Sequence, residues 1–165
     1  MLITVIPATV EPVTLNEAKA HLRVDHDADD ELIGALITAA REAVERFTGR
    51  ALAAASYRWA AETEQSLSLP LWPATVSAVT YMSNGERMAS ETYVFDEDRS
   101  LLSDVGGTDA MRVEFQADPE FVPEALKSAI KLRVEADYDA SPDDKIKLIQ
   151  AADMLAQPYR MNMGV

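Results

Sequence analysis

The sequence contains no cysteine and only two histidines among 165 residues. The first absence excludes disulfides, thiolate nucleophiles and cysteine-ligated metals. It leaves the compartment open. The second leaves only His21 and His26 for any imidazole chemistry. No apolar run is long enough to cross a bilayer. The apolar start, "MLITVIPATVEPVT", has no basic stretch ahead of it and no clear cleavage site. Neither a membrane span nor a signal peptide is therefore expected. There is no internal repeat, no G-x-S-x-G elbow, no P-loop and no dinucleotide-binding glycine fingerprint. The glycine pair in "DVGGTD" follows "LLS", opens no helix and reads as a loop. Positive charge is scarce. Lys and Arg number 15 against 28 Asp and Glu, for a net charge of −13. The basic residues are scattered, with no aromatic-interleaved patch. Acidity of this size disfavours non-specific binding to nucleic acid phosphates or anionic membranes. It does not forbid passing close to DNA without adhering.

What is present is the material of one folded domain with an insertion. A hydrophobic fraction of 48% is enough for a core. Thr14-Leu15-Asn16-Glu17 has capping-box form, Thr14 as cap and Glu17 three residues on. Leu15, Ala18 and Leu22 then share a face, which predicts a helix near 15–23. A longer helix is expected near 28–48. There Leu32, Ile33, Leu36, Ile37, Ala40, Val44 and Phe47 fall at helical spacing. Glu31, Thr38, Arg41, Glu42, Glu45 and Arg46 lie off that stripe, and Gly49 in "FTGR" supplies the stop. The period then changes to two. Tyr57, Trp59, Ala61 and Thr63 alternate with polar or small residues, as do Leu67, Leu69 and Leu71, and Met111, Val113 and Phe115. Asn84-Gly85 signals a tight hairpin turn. Tyr93-Val94-Phe95 and Leu101-Leu102 flank a polar turn, "DEDR". About five or six short strands are expected near 56–116. Helical spacing returns at 123–138, with Pro123 in the first turn and Leu126, Ala129, Ile130, Val134 and Tyr138 facing inward. A last helix near 142–156 opens with Ser141 as cap and Pro142 next to it; Ile146, Ile149, Ala152 and Leu155 can face its neighbours. Pro158 closes it. The fold class is α+β: a small helical bundle built from residues 13–52 and 123–157, a β-rich insertion at 56–116, and an extended segment at 158–165.

The densest chemistry is "DHDADDE", residues 25–31. A calcium loop starting at Asp25 would place Asp27 and Asp29 at its third and fifth positions, as required. Its sixth position is Asp30 where a glycine is needed, and its twelfth is Leu36 where an acid is needed. A zinc site needs three or four ligands, and the two histidines stand five residues apart across a helix end. Helix-entry chemistry is the favoured reading. Asp27 or a neighbour caps the long helix, and Asp29, Asp30 and Glu31 sit at the positive end of its dipole. The competing reading is a small metal-dependent enzyme, or a soluble cellular binding module, using Asp25–Glu31. Trp59 and Trp72, in apolar surroundings, read as core or interface residues.

The stretch "VTLNEAKAHLRVDHDADDELIGALITAAREAVERFTGRAL", residues 13–52, resembles the N-terminal signature of tailed-phage head–tail connector proteins, or adaptors. In that signature a short helix opening "T-L-x-E-A-K-x-H-L-R" is followed by an acidic joint and a long helix ending "T-G-R". "LPLWPATVSAVTYMSNG", "YVFDEDRSLL" and "RVEFQADPEFVPEALKSAIKLRVEADY" are similar to later family segments. Two places depart from the pattern. Gln116-Ala117-Asp118 stands where a glycine is common, and "DYDASPDDK" is shorter and more acidic than the usual helix end. The resemblance implies a structural role without catalysis, cofactor or metal, in a phage or in a gene transfer agent. It implies a homo-oligomeric ring, typically of twelve copies, in the neck of the particle, assembled in the host cytoplasm. The partners it implies are the portal protein and a tail-side stopper or tail terminator, with DNA passing through the lumen unbound. The C-terminal segment, with Tyr159, Arg160, Met161 and Met163, carries side chains common at interfaces. It is the expected portal contact, against the alternative of a frayed terminus. The loops at Asn84-Gly85 and Asp96 to Arg99 are the expected tail-side contacts.

Overall fold

The computed structural model describes residues 1–61, 66–97, 101–103 and 109–161. The chain divides into two compact units. Among the described residues, one is formed by Met1–Thr9 with Ala53–Pro119, the other by Val10–Leu52 with residues 120–161. Among the described residues, no helix is long and apolar enough to cross a membrane.

The second unit is a four-helix assembly: α1 (Leu15–Leu22), α2 (Asp30–Thr48), α3 (Glu124–Tyr138) and α4 (Pro142–Ala156). A short 3-10 turn, Gln157–Tyr159, follows α4. Each start has a local cause. The Thr14 hydroxyl accepts from the Glu17 amide at 3.2 Å, and the Glu17 carboxylate accepts from the Thr14 amide at 2.8 Å. Two otherwise unpaired amides are thereby satisfied. Ser141 accepts from the Asp144 amide at 3.3 Å, with Pro142 in the first turn of α4. Pro123 stands one residue outside α3, as its N-cap, and not in its first turn. At the other ends, Arg23 closes α1 in the left-handed region (φ 59°) and Gly49 closes α2 (φ 71°), its amide bonded to the Glu45 carbonyl.

The entry to α2 differs from expectation. Asp27 is not its cap. The helix begins at Asp30, the N-cap is Asp29, and that cap makes no side-chain bond to the helix amides. Asp27 is engaged elsewhere. Its carboxylate accepts from Lys19, and its carbonyl accepts from the Asp30 amide in the turn before the helix.

Ile33, Ile37, Ala40 and Val44 of α2 are buried with Leu126, Ala129, Ile130 and Val134 of α3 in one core. Full burial of a side chain of the Ile, Leu or Val class contributes about 1.5–3 kcal/mol. The buried stripe of α2 is rotated from the one predicted. Leu32 is 50% exposed, whereas Arg41 and Glu45 are each only 4% exposed. The rotation is tolerated because the two charges neutralise each other and find further partners. Arg41 donates to Glu45 (2.6 Å) and to Glu11 (2.8 Å). Glu45 accepts from the Leu52 amide (2.8 Å), and Thr38 donates to Glu11 (2.9 Å). A similar rotation affects α4, which buries Ala152 and Ala156 while Ile146 and Leu155 stay exposed. Alanines let α4 approach α3 closely, and the Arg133–Asp153 ion pair joins the two helices.

The first unit is all β. A five-stranded antiparallel sheet has the order β1-β2-β8-β4-β5, and a three-stranded sheet the order β3-β7-β6. The ranges are β1 Leu2–Ile6, β2 Ala55–Ala61, β3 Ser66–Ser68, β4 Thr75–Ser83, β5 Glu86–Ala89, β6 Val94–Asp96, β7 Leu101–Ser103 and β8 Asp109–Ala117. Tyr57, Val79, Met111, Val113 and Phe115 make the buried face of the larger sheet, with the Tyr57 and Phe115 rings stacked at 5.4 Å. Asn84 and Gly85 turn the β4–β5 hairpin, both at positive φ (51° and 83°), as the predicted tight turn requires. Among the described residues, seven strands occupy the region where five or six are expected from the sequence, and β1 lies outside that region. Thr63 and the glycine pair of "DVGGTD" lie outside the described residues.

Candidate functional site

The acidic joint between α1 and α2 is organised by an ammonium. Lys19 reaches back from α1 and donates to Asp27 at 2.7 Å and to Asp30 at 2.6 Å. The positive charge sits among these carboxylates where a bound cation would otherwise have to sit. The bond to Asp27 holds the Lys19 ammonium above its usual pKa, and the same bond holds Asp27 below the usual carboxylate range. Asp29 accepts from the Tyr138 hydroxyl of α3 at 2.6 Å, which pushes the phenol up. His26 lies 4.0 Å from Asp29, and His21 pairs instead with Glu135 at 2.8 Å. The two histidines thus face different partners. Among the described residues, no group of three or more His, Cys, Asp or Glu is arranged to hold a metal ion.

An open polar depression lies beside the joint, lined in part by His21, Arg23, Glu135, Tyr138, Ser141 and Lys147. Its Ser141 hydroxyl caps α4 and donates to Asp144 at 2.8 Å, and its Tyr138 hydroxyl donates to Asp29. Its histidine is paired with Glu135, not with the Ser141 hydroxyl. The carboxylate that Ser141 does reach, Asp144, is held below the usual carboxylate range by its bonds from Lys147 and Ser141, which makes it a weak base.

The C-terminal segment has the more specific geometry. The Tyr159 carbonyl accepts from Arg50 Nε at 3.0 Å. The Arg160 guanidinium lies over the Phe47 ring, 5.1 Å from its centroid. The Met161 amide donates to the Thr48 carbonyl at 2.7 Å. Tyr159 is also partly buried against the helical core. Three of the four residues expected to dock a partner are therefore fastened to the last turn of α2. Met163 lies outside the described residues. The reason is local to α2. The last carbonyls of a helix lack intrahelical donors and carry the negative end of its dipole. The Met161 amide satisfies that of Thr48, while Arg50 donates to the Tyr159 carbonyl and Arg160 lies over the Phe47 ring. The receiving residues, Phe47, Thr48 and Arg50, sit in "FTGR", which signals a helix stop but gives no sign of a docking place for a segment more than a hundred residues later.

The remaining candidates are in the β unit. Asn84 and Gly85 are exposed at a hairpin tip. The Glu97 carbonyl accepts from Trp72 Nε1 at 3.1 Å, which ties that turn to the sheet unit. Asp98 and Arg99 lie outside the described residues. Trp59 and Trp72 are both half-buried.

Comparison with known proteins gives two results. A family model described as phage gp6-like head-tail connector protein matches residues 12–157. Solved structures with the same fold come from gene transfer agent (GTA) particles. The chain is similar to one from the virion of a native particle (21% identity, 98% of this chain and 95% of that chain covered, TM-score 0.67). It is also similar to one from the neck of a native particle computed with C12 symmetry (20%, 98% and 95%, TM-score 0.67). A third is from the neck of an empty particle computed with C6 symmetry (21%, 92% and 94%, TM-score 0.66). No curated protein matches.

Proposed function

This chain belongs to the phage gp6-like head-tail connector family, and from that membership we propose that it forms a ring in the neck of a phage or gene transfer agent particle, between portal and tail. The observation that carries the reading is the family match over residues 12–157, which includes all four helices and every strand from β2 to β8. The role is structural, not enzymatic. Cyclic necks, such as those containing the similar chains, are consistent with repeated head-to-tail contacts between copies. In this reading the ring has about twelve copies, by analogy with the C12 neck. DNA passes through its lumen, and a charge of −13 per chain keeps it from adhering. Assembly takes place in the host cytoplasm.

Within this role, the C-terminal segment contacts the portal. The fastening of Tyr159, Arg160 and Met161 to α2 supports a refined version, in which these residues set where the segment leaves the helical unit. The residues from 162 onward, with the exposed Arg160, then make the contact. The turn at Asn84-Gly85 and the "DEDR" turn face the stopper or tail terminator.

Quantitative mass spectrometry of purified, DNA-filled particles tests the role. The protein should be present at a copy number comparable to that of the portal; its absence from particles would refute the reading. Truncation after Met161 tests the segment. Portal attachment should be lost while helical circular dichroism is unchanged, and attachment at the full level would exclude the segment as the contact.

A further inference from the structure

Strand β1 is an edge strand with an unusual composition for that place. Leu2, Ile3, Val5 and Ile6 are between 37% and 59% exposed. Its apolar side chains occupy both faces. Leu2 and Thr4 stand opposite Trp59 and Tyr57, and Ile3 opposite Arg58. A strand apolar on both faces is what the middle of a covered sheet contains. Among the described residues it has a neighbour on one side only. Edge strands are usually blunted by charge or proline. Residues 1–10 carry no charged side chain, and the only proline among them, Pro7, lies beyond the strand. One bulge, between Thr4 and Ile6, leaves Leu2–Thr4 as regular template.

The opposite edge of the same sheet, β5, is likewise unpaired among the described residues. All four of its residues are exposed, Met88 at 45%. Glu86 and Arg87 cancel in charge. The five strands alternate in direction, so the two edge strands run the same way. That polarity separates two modes of pairing. β1 against β1 of a second copy is antiparallel and isologous, and stops at a dimer. β1 against β5 of a second copy is parallel when the copies repeat in one orientation, and continues from copy to copy.

Resting on the ring reading above, we propose that β1 of each copy pairs in parallel with β5 of the next, so that the sheets join into one belt around the ring. Charge favours a second copy as the occupant. Chains of −13 repel one another, and contact through an uncharged strand and a self-cancelling one brings no further like charge together. A basic partner would gain nothing from a strand without acids. The seam is short, with β1 of five residues and β5 of four. Such a seam is small beside the roughly 800 Å² per partner that a standard stable interface buries. Copies join when a portal surface holds them side by side, and the free chain stays monomeric.

The absence of cysteine makes the test direct. Thr4→Cys and Met88→Cys introduce two thiols on one face, since Thr4 is opposite Tyr57, Met88 is opposite Tyr81, and Phe115, Val113 and Val79 connect them across the sheet. Both positions are exposed. Purified particles containing the double variant, as scored by mass spectrometry, are treated with a short bis-thiol crosslinker. A ladder of covalent products beyond the dimer is expected, with monomer alone from either single variant. Dimers from Thr4→Cys alone would show the isologous pairing and overturn the proposal. So would monomer alone from the double variant in particles that contain it. Wild-type protein missing from particles would instead refute the ring itself. If the double variant fails to enter particles that accept wild type, Ile3→Asp decides. It should cut incorporation at least tenfold with unchanged circular dichroism, and full incorporation would overturn the pairing.

Discussion

Arg41→Met is the most informative single change in the helical unit. It keeps the length of the side chain and removes its charge. In the wild type the guanidinium is buried between Glu45 and Glu11, at 2.6 and 2.8 Å. Its loss leaves Glu45, 4% exposed, as a buried carboxylate held, among the described residues, by the Leu52 amide alone. Breaking a buried pair in this way costs about 3–5 kcal/mol. With a urea slope of about 2 kcal/mol/M, the midpoint should fall by about 1.5–2.5 M. Helical ellipticity is the right signal, because all four long helices are in this unit, while Trp59 and Trp72 report on the β unit. The pH dependence adds a second constraint. Burial already pushes the Glu45 carboxyl up, and Arg41 is the main influence pulling it down. Without Arg41 the folded protein binds a proton at Glu45 that the unfolded chain does not, in the interval above the ordinary value of 4.5. Stability then falls as pH rises through that interval, so the deficit of the variant should be smaller near pH 5 than near pH 7. A midpoint shift below about 0.5 M, which is about 1 kcal/mol, would refute the argument. So would a deficit that grows towards acid.

Other changes have simpler signatures. Thr14→Ala removes the cap of α1 and should cost about 1 kcal/mol in a thermal or urea melt. The bonds from the Thr14 amide and hydroxyl hold Glu17 below its usual pKa, a contribution present above the ordinary carboxylate value and lost as pH falls through the lowered one; the variant keeps the amide but lacks the hydroxyl, so the wild type should lose more stability than Thr14→Ala on acidification. Tyr138→Phe removes the 2.6 Å bond to Asp29 and should lower the thermal midpoint slightly, with one raised phenol titration lost from the ultraviolet difference spectrum. Calorimetry with calcium, magnesium and zinc should give no specific heat at the acidic joint, because Lys19 occupies it; tight binding by the wild type would restore a metal role for Asp25–Glu31.

The four helices were legible because their signals are local. A capping threonine, a serine–proline start and a glycine stop each act within one turn. The Asn84-Gly85 hairpin was legible for the same reason. What escaped depends on distant partners. Arg41 and Glu45 read as a solvated face, since charged residues are rarely buried unless paired, and the pairing comes from Glu11 and the Leu52 amide outside the helix. Strand β1 lacks the alternation that marks a half-buried strand, because its apolar residues fall on both faces. Strands β3, β6 and β7 are three residues each, too short to show a period. Asp27 was a reasonable cap by position, but Lys19, eight residues earlier, claims its carboxylate. The clasp on the C-terminal segment spans 109 residues from Arg50 to Tyr159, a separation at which local pattern carries no information.

The interleaving of the two units has a consequence for how the chain matures. Synthesis delivers β1 first, then α1 and α2, then the rest of the sheet, and only afterwards α3 and α4. Ile33, Ile37 and Val44 therefore leave the ribosome without the helix that covers them, and wait while the chain from Ala53 to Pro119 is made. At about 5–20 residues per second that interval lasts several seconds, long compared with helix formation. The β unit can close in that time, whereas α2 stays half-covered until the last quarter of the chain emerges. Truncated or stalled chains ending before Glu124 should accordingly be the aggregation-prone species in the cell, and chaperone demand should concentrate on them.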